Sequence, residues 1–296
     1  MGYKKLSKEQ ELQLVEEYKK GTPVVELMNK YGFKTKKSIT DKVKKYYPNN
    51  YNEIIACAKD NRRGYTYSLE KITSPFDAYL IGLMLTDGYV LSDRDGLGLD
   101  LTDKDCIEFI AQTIGLHYKE YSDNIHKTKY RILITVPGIV KQVERFGIIK
   151  NKSLIVPAPK LLKEEEQYIP YIIRGIIDGD GSVAKTSYGG AQFYIATMSK
   201  QFAGWIKEIL TYRFFMEDIH IHQTVQGIYR IETANQYNIL KLIAIVYNKP
   251  FGMSRKYREL RTTFRDYNHD ALLDKDDCIV QTTTDNLVHE SVSGKE

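Results

Sequence analysis

The chain says nearly the same thing twice. FDAYLIGLMLTDGYV runs from Phe76 to Val90 and YIIRGIIDGDGSV from Tyr171 to Val183. Each is an apolar run with helical spacing that ends in Asp-Gly, and the two aspartates, Asp87 and Asp180, stand 93 residues apart. The segments downstream of the two runs also correspond. LGLDLTDKDCIEFIAQTIG (97–115) matches FYIATMSKQFAGWIKEIL (193–210), in both cases a strand, a turn with Lys104 or Lys200, and an amphipathic helix. YRI recurs at Tyr130–Ile132 and Tyr229–Ile231 within strand-like stretches, and FGIIKNKS (146–153) is answered by FGMSRKY (251–257). The order of parts is kept while loop lengths differ, as in a duplicated domain. Each half reads as helix, strands, helix, strands, helix. A half of this size does not bury its apolar motif helix alone, so the halves are expected to pair within one monomer.

The spacing of small residues says how they pair. Ala78, Gly82 and Thr86 fall four apart in the first run, and Gly175 and Gly179 do in the second. Small residues at i and i+4 leave a flat stripe on a helix, so two backbones can approach closely there. The flanking Leu80, Leu83, Met84, Ile173, Ile176 and Ile177 would anchor each helix in its own half. Packed side by side and running the same way, the helices bring Asp87 and Asp180 together, each followed by a helix-stopping glycine (Gly88, Gly181). Two carboxylates at the negative ends of helix dipoles repel each other, and a divalent cation offsets the repulsion. Oxygen ligands of this kind suit Mg²⁺. Metals shared by two carboxylates activate water and stabilise the leaving oxygen of a phosphodiester, so the pattern points to a metal-dependent nuclease.

Charge is consistent with a polyanionic partner. The 296 residues carry a net charge of +5, unevenly spread: residues 1–63 hold 15 basic and 8 acidic side chains, whereas 266–296 hold 2 and 8. The three cysteines, Cys57, Cys106 and Cys278, form no CxxC pair, which fits a reducing compartment. The opening MGYKKLSKEQ is polar, so no signal peptide is expected. A bacterial or phage-infected cytoplasm, or an organelle, is the expected location.

Residues 1–49 read as a separate small helical domain. Lys8–Lys20 has Leu12, Val15 and Tyr18 at helical spacing and stops at Gly21. Thr22 is the expected cap of a second helix, with Pro23 in its first turn and Gly32 at its end. Ser38 is the expected cap of a third helix, with Ile39 and Val43 buried and Lys37, Thr40, Lys42, Lys44 and Lys45 on its other face. Three helices with a basic third resemble a helix-turn-helix, with Lys37, Thr40 and Lys44 as DNA contacts. Residues 50–67 read as a basic linker, 68–160 and 161–265 as the two repeats, and 266–296 as an acidic, disordered tail.

The segments LIGLMLTDG (80–88) and IRGIIDGDG (173–181) resemble the two motifs of the LAGLIDADG homing endonucleases, over about residues 68–265. The resemblance implies an α+β fold of duplicated αββαββα halves. Their curved antiparallel sheets would form a saddle over double-stranded DNA, with strand residues reading a long site; Arg131 and Arg230 lie in matched strands. It further implies a metal site at Asp87 and Asp180 assisted by the carbonyls of Thr86 and Gly179. Lys152 and Lys256 would stand beside the scissile phosphates. Leu85 departs from the motif where the second repeat keeps Asp178, a residue that does not bind metal in the family. Two other functions stay open on the same scaffold: a DNA-binding regulator that does not cut, and an intron RNA maturase.

Overall fold

The computed structural model describes residues 6–63, 66–122, 128–150, 156–185 and 191–265. These fall into two compact units, one of residues up to 67 together with 114–116, the other of the rest.

The first unit is all helical: α1 Lys8–Lys19, α2 Val24–Tyr31, α3 Lys36–Tyr46 and α4 Tyr51–Arg63. Ser7 caps α1 and shares a reciprocal capping box with Gln10. Gly32 takes a left-handed conformation (φ 73°), which ends α2 and turns the chain into α3. Leu14, Val15, Tyr18, Leu27, Tyr31, Ile39 and Val43 form one core. Three expectations need correction. The cap of α2 is Pro23 rather than Thr22, and the cap of α3 is Thr35, whose side chain accepts from the Ser38 amide. Within the stretch read as a linker, residues 51–63 are not open chain. They form α4, because Ile54 and Ala58 sit one turn apart and complete the core that three helices leave uncovered. Lys42 and Lys45 stay on the outer face of α3, Lys45 more than half exposed, but both are paired. Glu11 of α1 accepts hydrogen bonds from both, and from Tyr46 at 2.9 Å. These contacts hold the Glu11 carboxyl at about 2.

The second unit contains the duplication. The first repeat runs α5 Pro75–Thr86, β1 Gly88–Val90, β2 Leu97–Leu101, α6 Lys104–Ile114, β3 Lys119–Tyr121, β4 Lys129–Ile134 and α7 Ile139–Val143. The second runs α8 Ile169–Asp180, β5 Gly181–Lys185, β6 Ala191–Thr197, α9 Lys200–Glu208, β7 His220–Gln223, β8 Tyr229–Thr233, α10 Gln236–Val246 and α11 Ser254–Arg265. This is the expected α+β architecture, αββαββα twice. The antiparallel sheets have one topology, β1-β2-β4-β3 and β5-β6-β8-β7. They also have one register: Gly88 pairs with Leu99 and Leu99 with Ile132, as Gly181 pairs with Ile195 and Ile195 with Ile231.

Strand side chains alternate between faces. Leu97, Leu99, Leu101, Ile132 and Ile134 bury one face of the first sheet, and Phe193, Ile195, Ile231 and Thr233 bury that of the second. The junction between repeats is tied by Glu165, fully buried, which pairs with Arg145 and accepts from the amides of Ile72 and Leu162, both at 2.8 Å.

Candidate active site at the paired helix ends

Both motif helices start alike and are apolar for a reason. Ser74 caps α5 with Pro75 behind it, and Pro170 lies in the first turn of α8. Every α5 residue from Phe76 to Leu85 is buried, as are Ile172 to Asp178 of α8. The helices cross at Gly82 and Gly175. A Cβ on Gly82 would overlap the Ile172 carbonyl and stand 2.8 Å from Gly175 Cα. One on Gly175 would overlap the Tyr79 carbonyl and come within 2.7 Å of the Leu83 amide. Only glycine fits at such a backbone-to-backbone approach. Ala78 is likewise buried completely.

The contacts run in the same order along both helices, so the C-terminal ends arrive together. At Gly179 a Cβ would overlap Thr86 Oγ1 and lie 2.6 Å from Asp87 Oδ2. Thr86 points its hydroxyl back to the Leu83 carbonyl at 3.0 Å. Asp87 and Asp180 are both exposed at these ends. Asp87 is the C-cap of α5 and Asp180 the last residue of α8. Thr86 and Asp180 line one depression of about 310 Å³, together with Leu85, Val156, Met198 and Phe202. The following glycines do not act as left-handed helix stops. Gly181 has φ −81°, and both glycines pass straight into strands. Their role is close approach: a Cβ on Gly88 would stand 2.6 Å from Met84 Cα, and one on Gly181 2.8 Å from Ile177 Cα.

Lys256, on α11, donates a hydrogen bond to the Gly181 carbonyl, next to Asp180. Lys152 lies outside the described residues, as does the tail 266–296. Arg131 and Arg230 face away from the core, in equivalent places: Arg131 opposite Asp100 and Arg230 opposite Ala196. Asp100 holds Arg131 by two bonds of 2.8 and 2.7 Å and also accepts from Tyr89 and Tyr121. Arg230 stacks on Tyr194 at 4.1 Å and pairs loosely with Glu232, 3.5 Å away. His220 and His222 lie on the same outer face, paired in register with Glu232 and Arg230. In the helical unit Lys37 and Lys44 are exposed on α3, and Thr40 donates to the Lys37 carbonyl at 3.0 Å.

A polar network unforeseen from the sequence lies beneath the helix ends. Asp178, 1% exposed, accepts from Tyr79 (2.8 Å), Tyr247 (2.6 Å) and the Met253 amide (3.1 Å), with Arg174 Nε 3.7 Å away. Burial pushes its carboxyl up despite these donors. Arg174, 1% exposed, reaches the carbonyls of Val246, Lys249 and Phe251. The signal was an arginine four residues before an aspartate inside an apolar run, which demands buried partners.

The chemistry of the donor set fits a hard divalent cation. Among the described residues no group of three or more His, Cys, Asp or Glu forms a closed metal cage. Mg²⁺ does not need one, since it keeps waters and commonly takes one or two carboxylates plus substrate phosphates.

Residues 168–246 match the protein-family model of the LAGLIDADG-like domain. Similar solved structures include the LAGLIDADG meganuclease I-AabMI bound to uncleaved DNA (12% identity over 68% of this chain and 92% of that one, TM-score 0.44). They also include meganuclease I-SmaMI bound to uncleaveable DNA (11%, 74% and 98%, TM-score 0.46). A third is the homing endonuclease I-GzeII in complex with its DNA target (13%, 71% and 97%, TM-score 0.46). No curated protein matches the sequence. The chain thus carries a LAGLIDADG-like domain in its second repeat, and its first repeat is built on the same plan.

Proposed function

We propose that this protein is a monomeric, site-specific endonuclease that cuts double-stranded DNA with divalent metal, as homing endonucleases do. The observation that carries the reading is the glycine-only crossing of α5 and α8, which delivers Asp87 and Asp180 to adjoining, exposed helix ends. Asp87 and Asp180 would hold Mg²⁺, with the carbonyls of Thr86 and Gly179 completing the oxygen set. The metal would supply an activated water and charge for the leaving oxygen. Lys256 stands beside Asp180's helix end and would offset charge developing on one scissile phosphate; Lys152 is its proposed counterpart. The outer sheet faces, with Arg131 and Arg230, would read base edges, and Lys37, Thr40 and Lys44 of α3 would bind a flanking segment.

The test uses purified protein, Mg²⁺ and DNA spanning its insertion locus, with a randomised-site library beside it. Site-specific double-strand cutting is expected. Asp180→Asn and Asp87→Asn should each cut at least about 100-fold more slowly while binding DNA as before. Tight binding without cutting under any divalent metal overturns the reading in favour of a regulator. Metal-free support of intron RNA splicing would favour a maturase.

A further inference from the structure

We propose that the buried pair Arg174 and Asp178 is a positioning device for Lys256, and that it serves one strand cut and not the other. The inference rests on the endonuclease reading for its strand-cutting consequence, but its geometry stands alone. Helix α8 does two things at once. Its last residue presents Asp180, and its interior polar residues pin the segment that leads into α11. Arg174 donates to the carbonyls of Val246, Lys249 and Phe251, and Asp178 accepts from the Met253 amide. Four backbone groups between residues 246 and 253 are therefore fixed by side chains of one helix. Gly252 turns this segment with φ 69°, its Cα packed on the Tyr79 ring, where any Cβ would collide. One turn later Lys256 returns to the Gly181 carbonyl, on the same helix end that carries Asp180. The carboxylate and the amine are thus referred to a single rigid element.

The network also reaches across the repeats, since Tyr79 of α5 donates to Asp178. It has no twin. Ile81 and Leu85 hold the matched positions of α5, both fully or nearly buried, and neither side chain can hydrogen-bond a loop. A displacement of about 1 Å in a catalytic group can cost two orders of magnitude, whereas binding energy spread over a long interface is insensitive to it. Losing the device should therefore slow one cleavage and spare DNA affinity.

The decisive variant installs the first repeat's pair in the second: Arg174→Ile with Asp178→Leu. Removing both charges avoids stranding one of them, so the fold is expected to survive. A supercoiled plasmid bearing the target should then accumulate as nicked circle. The first nick should proceed near the parental rate and the second cut about 10- to 100-fold slower, with Kd unchanged within about twofold. Lys256→Ala should give the same trapped nick, and combining it with the double variant should add nothing. Equal slowing of both strands, loss of DNA affinity, or parental cutting of both strands overturns the proposal. A second measurement does not depend on cleavage. In the uncut protein the Met253 amide should exchange with solvent faster in the double variant than in the parent. Lys256 should also be acylated several-fold faster, read by mass spectrometry. Unchanged exchange and labelling overturn the positioning role. If the parental protein cuts no DNA with any metal, the endonuclease reading fails while these two readouts still decide the device.

Discussion

The two repeats share topology, register and even the reason for their glycines, yet they are stabilised by different means. In α5 the positions six and two residues before the motif aspartate are Ile81 and Leu85; in α8 they are Arg174 and Asp178, as deeply buried. On the outer sheet face the situation is reversed. Arg131 in the first repeat is clamped by Asp100 and two tyrosines, whereas Arg230 in the second faces Ala196 and leans on Glu232 and the Tyr194 ring. Even the aromatic under the sheet edge changes place. Tyr89 of β1 lies over Gly98 of β2, while the second repeat puts Ser182 on the edge strand and Tyr194 on the inner one. Duplication thus conserved what sets the backbone crossing and left the polar fixings free to diverge. The divergence puts a rigid interior behind the second repeat's acidic end and a rigid arginine on the first repeat's outer face.

This comparison can be broken most severely where the repeats are the same. Gly82→Val and Gly175→Val should be equally damaging, because each new side chain meets the other helix's backbone rather than a movable side chain. Each should cost beyond about 5 kcal/mol, measured as loss of cooperative unfolding in denaturant. A tolerated valine at either site would mean that the helices separate more easily than their packing implies.

The next largest effect should separate the repeats. Asp178→Leu alone strands a buried guanidinium and should cost about 3–5 kcal/mol, most of which Arg174→Ile restores. Placing aspartate at Leu85 should cost as much again, since α5 offers no Arg174 equivalent. Urea midpoints of the three variants and the parent decide it; an Asp178→Leu protein as stable as its parent would deny the ion pair its role.

A smaller contrast is expected on the outer faces. Arg131→Ala leaves the partly buried Asp100 short of two charge-assisted bonds and should cost about 1–3 kcal/mol. Arg230→Ala should cost less than about 1 kcal/mol, because its pairing with Glu232 is a single loose contact rather than two short bonds. Equal losses would show that the Asp100 clamp adds nothing.

The smallest effect is one of sign with pH. Burial raises the Asp178 carboxyl, so between its ordinary value and the raised one the folded chain keeps a proton that the unfolded chain has released. Its contribution to stability therefore grows as pH falls into that window. Burial also pushes Glu165 upward, but Arg145 and the amides of Leu162 and Ile72 outweigh it and hold the carboxyl low. Its contribution is complete above the ordinary value of 4.5 and is lost as pH falls below it. Asp178→Asn and Glu165→Gln should thus change the slope of stability against pH, between pH 7 and 3, in opposite directions. Slopes of the same sign would refute this.

Much of the fold was legible because it is written locally. Apolar spacing, Pro75 and Pro170 at helix starts and the recurrent YRI strands specify elements and their order through propensity and periodicity. Repetition then implies the pairing, and the spacing of Gly82, Gly175 and Gly179 implies its closeness. Asp87, Asp180 and Lys256 come from the motif and its echo. What sequence spacing leaves undecided is which partner a polar residue meets. Lys42 and Lys45 look like unpaired surface charges until Glu11, more than thirty residues away, is seen between them. The stretch 51–63 looks like linker because two apolar residues, Ile54 and Ala58, suffice to cap a core built elsewhere. Asp178 looks like an optional motif letter until tertiary packing buries it with Tyr79, Tyr247 and Arg174. By itself, then, the sequence determined the repeated architecture and the two aspartates, since helix periodicity and glycine spacing act within a few residues. The tertiary structure alone decided which charges are buried and paired, because desolvation and hydrogen bonding depend on what the distant chain brings alongside.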